Sequence, residues 1–147
     1  MITIHTVCSL LSYGAFLVAF VSGALFLIQE RQVKRKRMGV LFHRLPALQT
    51  LDWINVVSIG VGFALLSLGL VCGLVGSREL LGVWWRWDSK ELLAFLLWSS
   101  YLALWLVRLR STLRGRKVAL LSILGFTFVL FTLFGASRIF PTWHSYL

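Results

Sequence analysis

The sequence predicts an all-α integral membrane protein: four transmembrane helices in a single domain over 1–147, with both termini outside. Three observations predict it. The 147 residues are 59% hydrophobic and 14% charged, whereas soluble domains run about 45–50% apolar and roughly 25% charged. Four stretches without Lys, Arg, Asp or Glu approach or exceed the roughly 20 apolar residues that cross a bilayer. The basic residues crowd two of the connections between those stretches. The composition excludes disordered, collagen-like and ordinary cytosolic chains, and two cysteines are too few for a disulfide-stapled secreted scaffold. No internal repeat, low-complexity segment or second domain is visible.

The first apolar segment is Met1–Gln29. It has no basic n-region and no small-residue cleavage site, so it reads as a retained helix rather than a cleaved signal peptide. The stretch RLPALQTLD around Pro46 then reads as an interfacial turn, with Asp52 expected to be the N-cap of the second helix. That second segment, Trp53–Ser77, is rich in small residues. Gly69 and Gly73 form a G-x-x-x-G, which lets two helix backbones approach closely. The third segment, Leu92–Val107, has only 16 uncharged residues, and snorkelling by Lys90 and Arg108 is expected to extend it. Phe95, Trp98, Tyr101 and Trp105 share one face of it at spacings of three and four, a pattern that reads first as packing. The fourth segment is Val118–Ser137.

Orientation follows from charge. Arg31, Lys34, Arg35, Lys36, Arg37 and Arg44 lie between segments one and two; Arg108, Arg110, Arg114, Arg116 and Lys117 lie between three and four. These eleven face only four on the other side, Arg78, Arg86, Lys90 and Arg138. Cytoplasmic loops carry the excess of Lys and Arg, so the 78–91 loop is expected on the extracytoplasmic side of a bacterial inner membrane or an organellar equivalent. The net charge of +10 is then a topology signal beside a lipid surface. No nucleic-acid partner is expected, because the run QVKRKR has no aromatic interleaving around it.

The outer loop GVWWRWDSKE holds Trp84, Trp85 and Trp87 within four positions. Asp88 and Glu91 have capping-box spacing and suit the start of a helix, which is a purely structural role. The tryptophans have no such role. Together they offer a flat, apolar, polarisable platform on which a large planar ligand can stack. His5 and His144 are expected at the same depth, from opposite ends of the chain, while His43 lies alone on the other side. Two histidines flanking such a loop fit axial ligation of one haem iron, with Arg78, Arg86, Lys90 and Arg138 placed to meet its carboxylates. The alternative is a pair of unliganded interfacial histidines. Cys8 and Cys72 read as small apolar residues; neither sits in a C-x-x-C-H, so covalent haem attachment is not expected.

The stretch GVWWRWDSKELLAFLLW resembles the tryptophan-rich W-G-x-Y-W-x-W-D-P-K-E signature, the WWD domain, of the CcsA/CcmC family of cytochrome c assembly proteins. Gly82, Trp85, Trp87, Asp88, Lys90 and Glu91 match it; Trp84 replaces the tyrosine, Leu81 the first tryptophan and Ser89 the proline. The first segment with its basic end, LPALQTLD and the terminal HSY are similar to other parts of the CcsA-type branch. Members of the family are usually larger, with a second pair of intramembrane histidines, so a four-helix core is expected here. The resemblance implies a protein of cytochrome c maturation that holds one non-covalent haem b at the outer face. Its axial ligands would be His5 and His144, and Trp84, Trp85, Arg86, Trp87, Asp88 and Lys90 would surround it. It implies apocytochrome c and other membrane proteins as partners, among them one with an extracytoplasmic domain, and at most a share in a haem-lyase complex. The competing expectation is a small b-type cytochrome or structural subunit of a respiratory or photosynthetic complex.

Overall fold

The computed structural model describes residues 2–37, 39–85, 87–110 and 115–135. Its helices are α1 (Ile2–Lys34), α2 (Val40–Arg44), α3 (Leu48–Leu81), α4 (Ser89–Arg110) and α5 (Arg116–Leu130), the last continued by one wider π turn over Phe131–Gly135. Four spans are long and apolar enough to cross a membrane: Thr3–Lys34, Leu48–Leu81, Ser89–Arg110 and Arg116–Phe134. At 1.5 Å per residue, α1 and α3 are each about 50 Å long, well beyond a hydrocarbon core of about 30 Å, so both protrude. Much of their apolar surface faces outward, as Leu10, Leu11, Leu68 and Val71 do, which suits lipid rather than water.

The spanning helices run up, down, up and down. This is read from which residues meet: His5 lies by Gly73 and Phe16 by Gly62 across α1 and α3, and Tyr101 by Gly125 across α4 and α5. Consequently the start of α1, the α3–α4 loop and the end of α5 share one end of the bundle. The α1–α3 pair is the tightest, because glycines on α3 let side chains of α1 settle onto its backbone. Phe16, fully buried, packs there and stacks on Tyr101 of α4 with ring centroids 3.6 Å apart. Asn55 of α3 donates through Nδ2 to Ala19 O at 2.6 Å and to Ser122 Oγ at 2.9 Å, tying three helices where lipid offers no competing partner. The aromatic face of α4 is packing, as expected. Trp98 donates Nε1–H to Ser67 Oγ at 2.8 Å, and Trp105 lies across Gly60.

One expectation is corrected. Asp52 is not an N-cap. The helix starts at Leu48 behind Ala47, whose carbonyl takes the first helical bond from Leu51 at 3.1 Å, because the chain is already helical within two residues of Pro46. Asp52 sits one turn inside and turns to Arg108 instead, at 2.7 Å. The second carboxylate oxygen of Asp52 accepts from Gly115 N at 3.3 Å, so one acid pins the far ends of α4 and α5 to α3.

Candidate functional site

The site begins where α3 ends. Gly82 takes a left-handed backbone (φ 72°) and donates its N–H to Arg78 O at 2.9 Å, an αL cap that stops the helix. A side chain at that φ would be strained. The chain then crosses to α4, and Asp88 occupies the cap position: its carbonyl accepts the first helical bond from Leu92 at 3.1 Å. Its carboxylate therefore stands beside the positive end of the α4 dipole, with Glu91 in the first turn.

Against this loop α1 presents His5. Its Nδ1 lies 2.6 Å from Gly69 O. A carbonyl only accepts, so Nδ1 carries a proton; in the neutral ring that leaves the lone pair on Nε2. The ring fits because Gly73 has no side chain, since a Cβ there would stand 2.8 Å from His5 Nδ1. The G-x-x-x-G thus acts twice: Gly69 supplies the carbonyl that orients the imidazole, and Gly73 supplies the room.

His5, Gly73, Ser77, Trp85, Asp88 and Lys90 line one cleft of about 330 Å³ at this end of the bundle. That volume is at the low end of the roughly 300–1,000 Å³ typical of ligand sites. Trp85 is partly buried and meets Trp87 and Phe95 edge-on, with centroids 6.2 and 6.1 Å away at 80° and 88°. Its indole N–H is buried without a hydrogen-bond partner among the described residues, and so is the hydroxyl of Ser77. Cys8 and Cys72 are free thiols, and Cys72 also borders the cleft.

The three tryptophans do not form one flat platform. Trp84 is drawn under the guanidinium of Arg78, which stands 4.3 Å above its ring. Trp87 is 77% exposed, with a left-handed φ of 58° that is uncommon for a bulky residue. Of the three, Trp85 lines the cleft. The structure therefore brings together His5, Trp85, Asp88 and Lys90 among the residues singled out from the sequence. Arg86, Arg138 and His144 lie outside the described residues. His43, on α2, is at the opposite end of the bundle, edge-on to Phe42. Sequence reasoning missed Ser77, and it read Gly69 and Gly73 as packing alone. The signal was present: Gly69, Gly73 and Ser77 recur every four residues, on one face of α3.

Comparison with known proteins bears on the same residues. The profile of the family described as cytochrome C assembly protein matches residues 1–144. A protein named cytochrome c biogenesis protein CcsA from Prochlorococcus marinus (strain AS9601) is 43% identical over 98 residues, which is 67% of this chain and 32% of that one. The protein of that name from Crocosphaera subtropica is 34% identical over 125 residues, covering 85% of this chain and 37% of the relative. The one from Nymphaea alba is 33% identical over 105 residues, covering 71% and 34%. These matches span about a third of the length of the curated relatives. No solved structure matches the chain. A membrane bundle of this topology, matched by the family profile from one end to within a few residues of the other, makes the chain a member of the cytochrome c assembly protein family.

Proposed function

We propose that this chain serves cytochrome c maturation by holding one non-covalent haem b at the extracytoplasmic face of the membrane, as cargo for apocytochrome c. The observation that carries this reading is the bond from His5 Nδ1–H to Gly69 O. Metal-ligating histidines characteristically donate their second ring nitrogen to a carbonyl or carboxylate, which sets the tautomer and raises the basicity of the ligating nitrogen. An imidazole supplying a single bond suits a metal that arrives inside a macrocycle. The surroundings fit the same group, because one indole, a cation and buried donors without acceptors among the described residues border one cleft.

Within this reading His5 would hold the iron through Nε2, together with His144. Trp85 flanks the macrocycle from within the cleft, with Trp84 and Trp87 at its rim. Lys90 and Arg86 neutralise carboxylates, and Asp88 fixes the loop at the start of α4. Both ends of the chain and the 78–91 loop lie outside, in line with the eleven-to-four distribution of basic residues. When bound, haem supplies an iron that takes axial imidazoles and a macrocycle edge available for attachment. The protein's own contribution is to orient and retain that cargo. Other membrane proteins, one of them with an extracytoplasmic domain, complete the machinery.

Titration of the detergent-solubilised chain with haem, followed by visible spectroscopy, tests the assignment. His5→Ala and His144→Ala are each expected to weaken retention and alter the Soret and alpha bands, with partial recovery on adding imidazole. A double replacement that leaves haem content and spectrum unchanged overturns the ligand assignment. For sidedness, cysteines placed at 33 and 112 are expected to resist a membrane-impermeant reagent applied outside; labelling of both reverses the topology.

A further inference from the structure

Helical hydroxyls in this bundle have a habit. Ser12, Ser22, Ser99, Ser100 and Ser122 each turn back onto a carbonyl three or four residues earlier, at 2.7 to 3.0 Å. So does Ser67, which also receives the indole N–H of Trp98. Each is satisfied within the protein, as a polar group in an apolar medium must be. Ser77 breaks the habit. Its Oγ is buried, has no partner among the described residues and borders the cleft. Trp85 differs from Trp98 in the same way, because its Nε1–H is buried without an acceptor and borders the same cleft. Of the buried donors without a partner among the described residues, Ser77 and Trp85 share this cleft while the Tyr101 hydroxyl lies apart from it. Leaving a buried donor unmatched is costly, so two of them around one cavity mark a place where an acceptor arrives from outside.

Resting on the haem-holding reading above, we infer that Ser77 Oγ–H and Trp85 Nε1–H are hydrogen-bond donors to a carboxylate of the tetrapyrrole. They come from different elements, the last turns of α3 and the loop before α4, so a carboxylate accepting from both would also clamp the loop to the helix. Lys90, on the same wall, supplies the positive charge. Trp85 is then more than a surface for stacking, since its N–H selects for an acidic substituent. Hydrogen bonds with an ionised partner are about twice as strong as neutral ones, so the pair discriminates between a carboxylate and its ester.

The test uses the full chain in detergent, titrated with iron protoporphyrin IX and with its dimethyl ester. Ser77→Ala removes one donor at a helix position that favours alanine, and Trp85→Phe keeps an aromatic ring but removes the other. Each variant is expected to bind the free-acid haem roughly tenfold more weakly and the ester less than twofold more weakly. Thermal melting of the unliganded variants shows whether the bundle is intact; Ser77→Ala carries the test if Trp85→Phe does not fold. Equal losses for acid and ester, or no loss for either, overturn the carboxylate assignment while leaving the haem reading in place. If the unaltered chain binds neither compound, both fall together.

Discussion

The two ends of the bundle leave different polar groups open: at the Asp52 end buried acceptors, Gln29 Oε1 and Gln32 Oε1, lack a partner among the described residues, and at the His5 end buried donors do. At the Asp52 end, charge is matched within the protein: the carboxylate meets Arg108 at 2.7 Å and Gly115 N at 3.3 Å, with both side chains only 15–21% exposed. At the His5 end, Nδ1 of the imidazole is engaged, and among the described residues the hydroxyl of Ser77 and the indole N–H of Trp85 have no partner. A pair that satisfies itself stabilises a fold; donors left unsatisfied around a cleft await a ligand. The difference also runs through residues of one type. Trp98 is closed by Ser67 and belongs to the core, whereas Trp85, four residues into the loop beyond Leu81, is open.

That contrast can be broken from either end. The largest effect is expected from His5→Ala, which on the proposed reading removes an iron bond. Haem affinity should fall by at least about a hundredfold, above the roughly 10–100-fold that outer-shell partners of a metal contribute, while the melting temperature of the unliganded chain changes little. Asp52→Ala should do the reverse. Breaking a buried ion pair costs roughly 3–5 kcal/mol; this pair is partly solvated, so a loss of about 2 kcal/mol in denaturant or thermal unfolding is expected, with haem affinity held within twofold. A large drop in haem affinity from Asp52→Ala would show that the two ends are coupled.

A subtler comparison uses two glycines of the same helix. Gly73→Ala places a Cβ 2.8 Å from His5 Nδ1, and Gly60→Ala places one 2.7 Å from Trp105. Sterically the two are alike. Gly73→Ala should displace the oriented imidazole and weaken haem binding by roughly tenfold, whereas Gly60→Ala should lower stability alone. Equal haem affinities in the two variants would mean that the orientation of His5 is unimportant. The smallest expected effect is that of Trp98→Phe. It loses one hydrogen bond to Ser67, worth about 1 kcal/mol, and unfolding should report it while haem titration does not.

Much of this was legible in the chain itself. Membrane solvation leaves few options: in hydrocarbon, backbone groups must bond within their own segment, so long uncharged runs become helices whatever surrounds them. The four spans, their alternation and the loop holding Trp84, Trp85, Trp87, Asp88 and Lys90 followed from that rule and from local motif spacing. So did a close helix approach at Gly69 and Gly73, a consequence of having no Cβ; the stop at Gly82 and the choice of α1 as the partner came from the structure. Tertiary structure decided what each polar group faces. Asp52 has the composition of a cap, but its partner Arg108 is 56 residues away, and no local signal records that. The tryptophans looked equivalent in sequence, yet Arg78 claims Trp84 and a left-handed turn swings Trp87 outward, leaving Trp85 at the cleft. The tautomer of His5 depends on a carbonyl 64 residues away. Hydrogen bonds act over about 3 Å, so their pairing depends on helix register and rotation, which only the packed bundle sets.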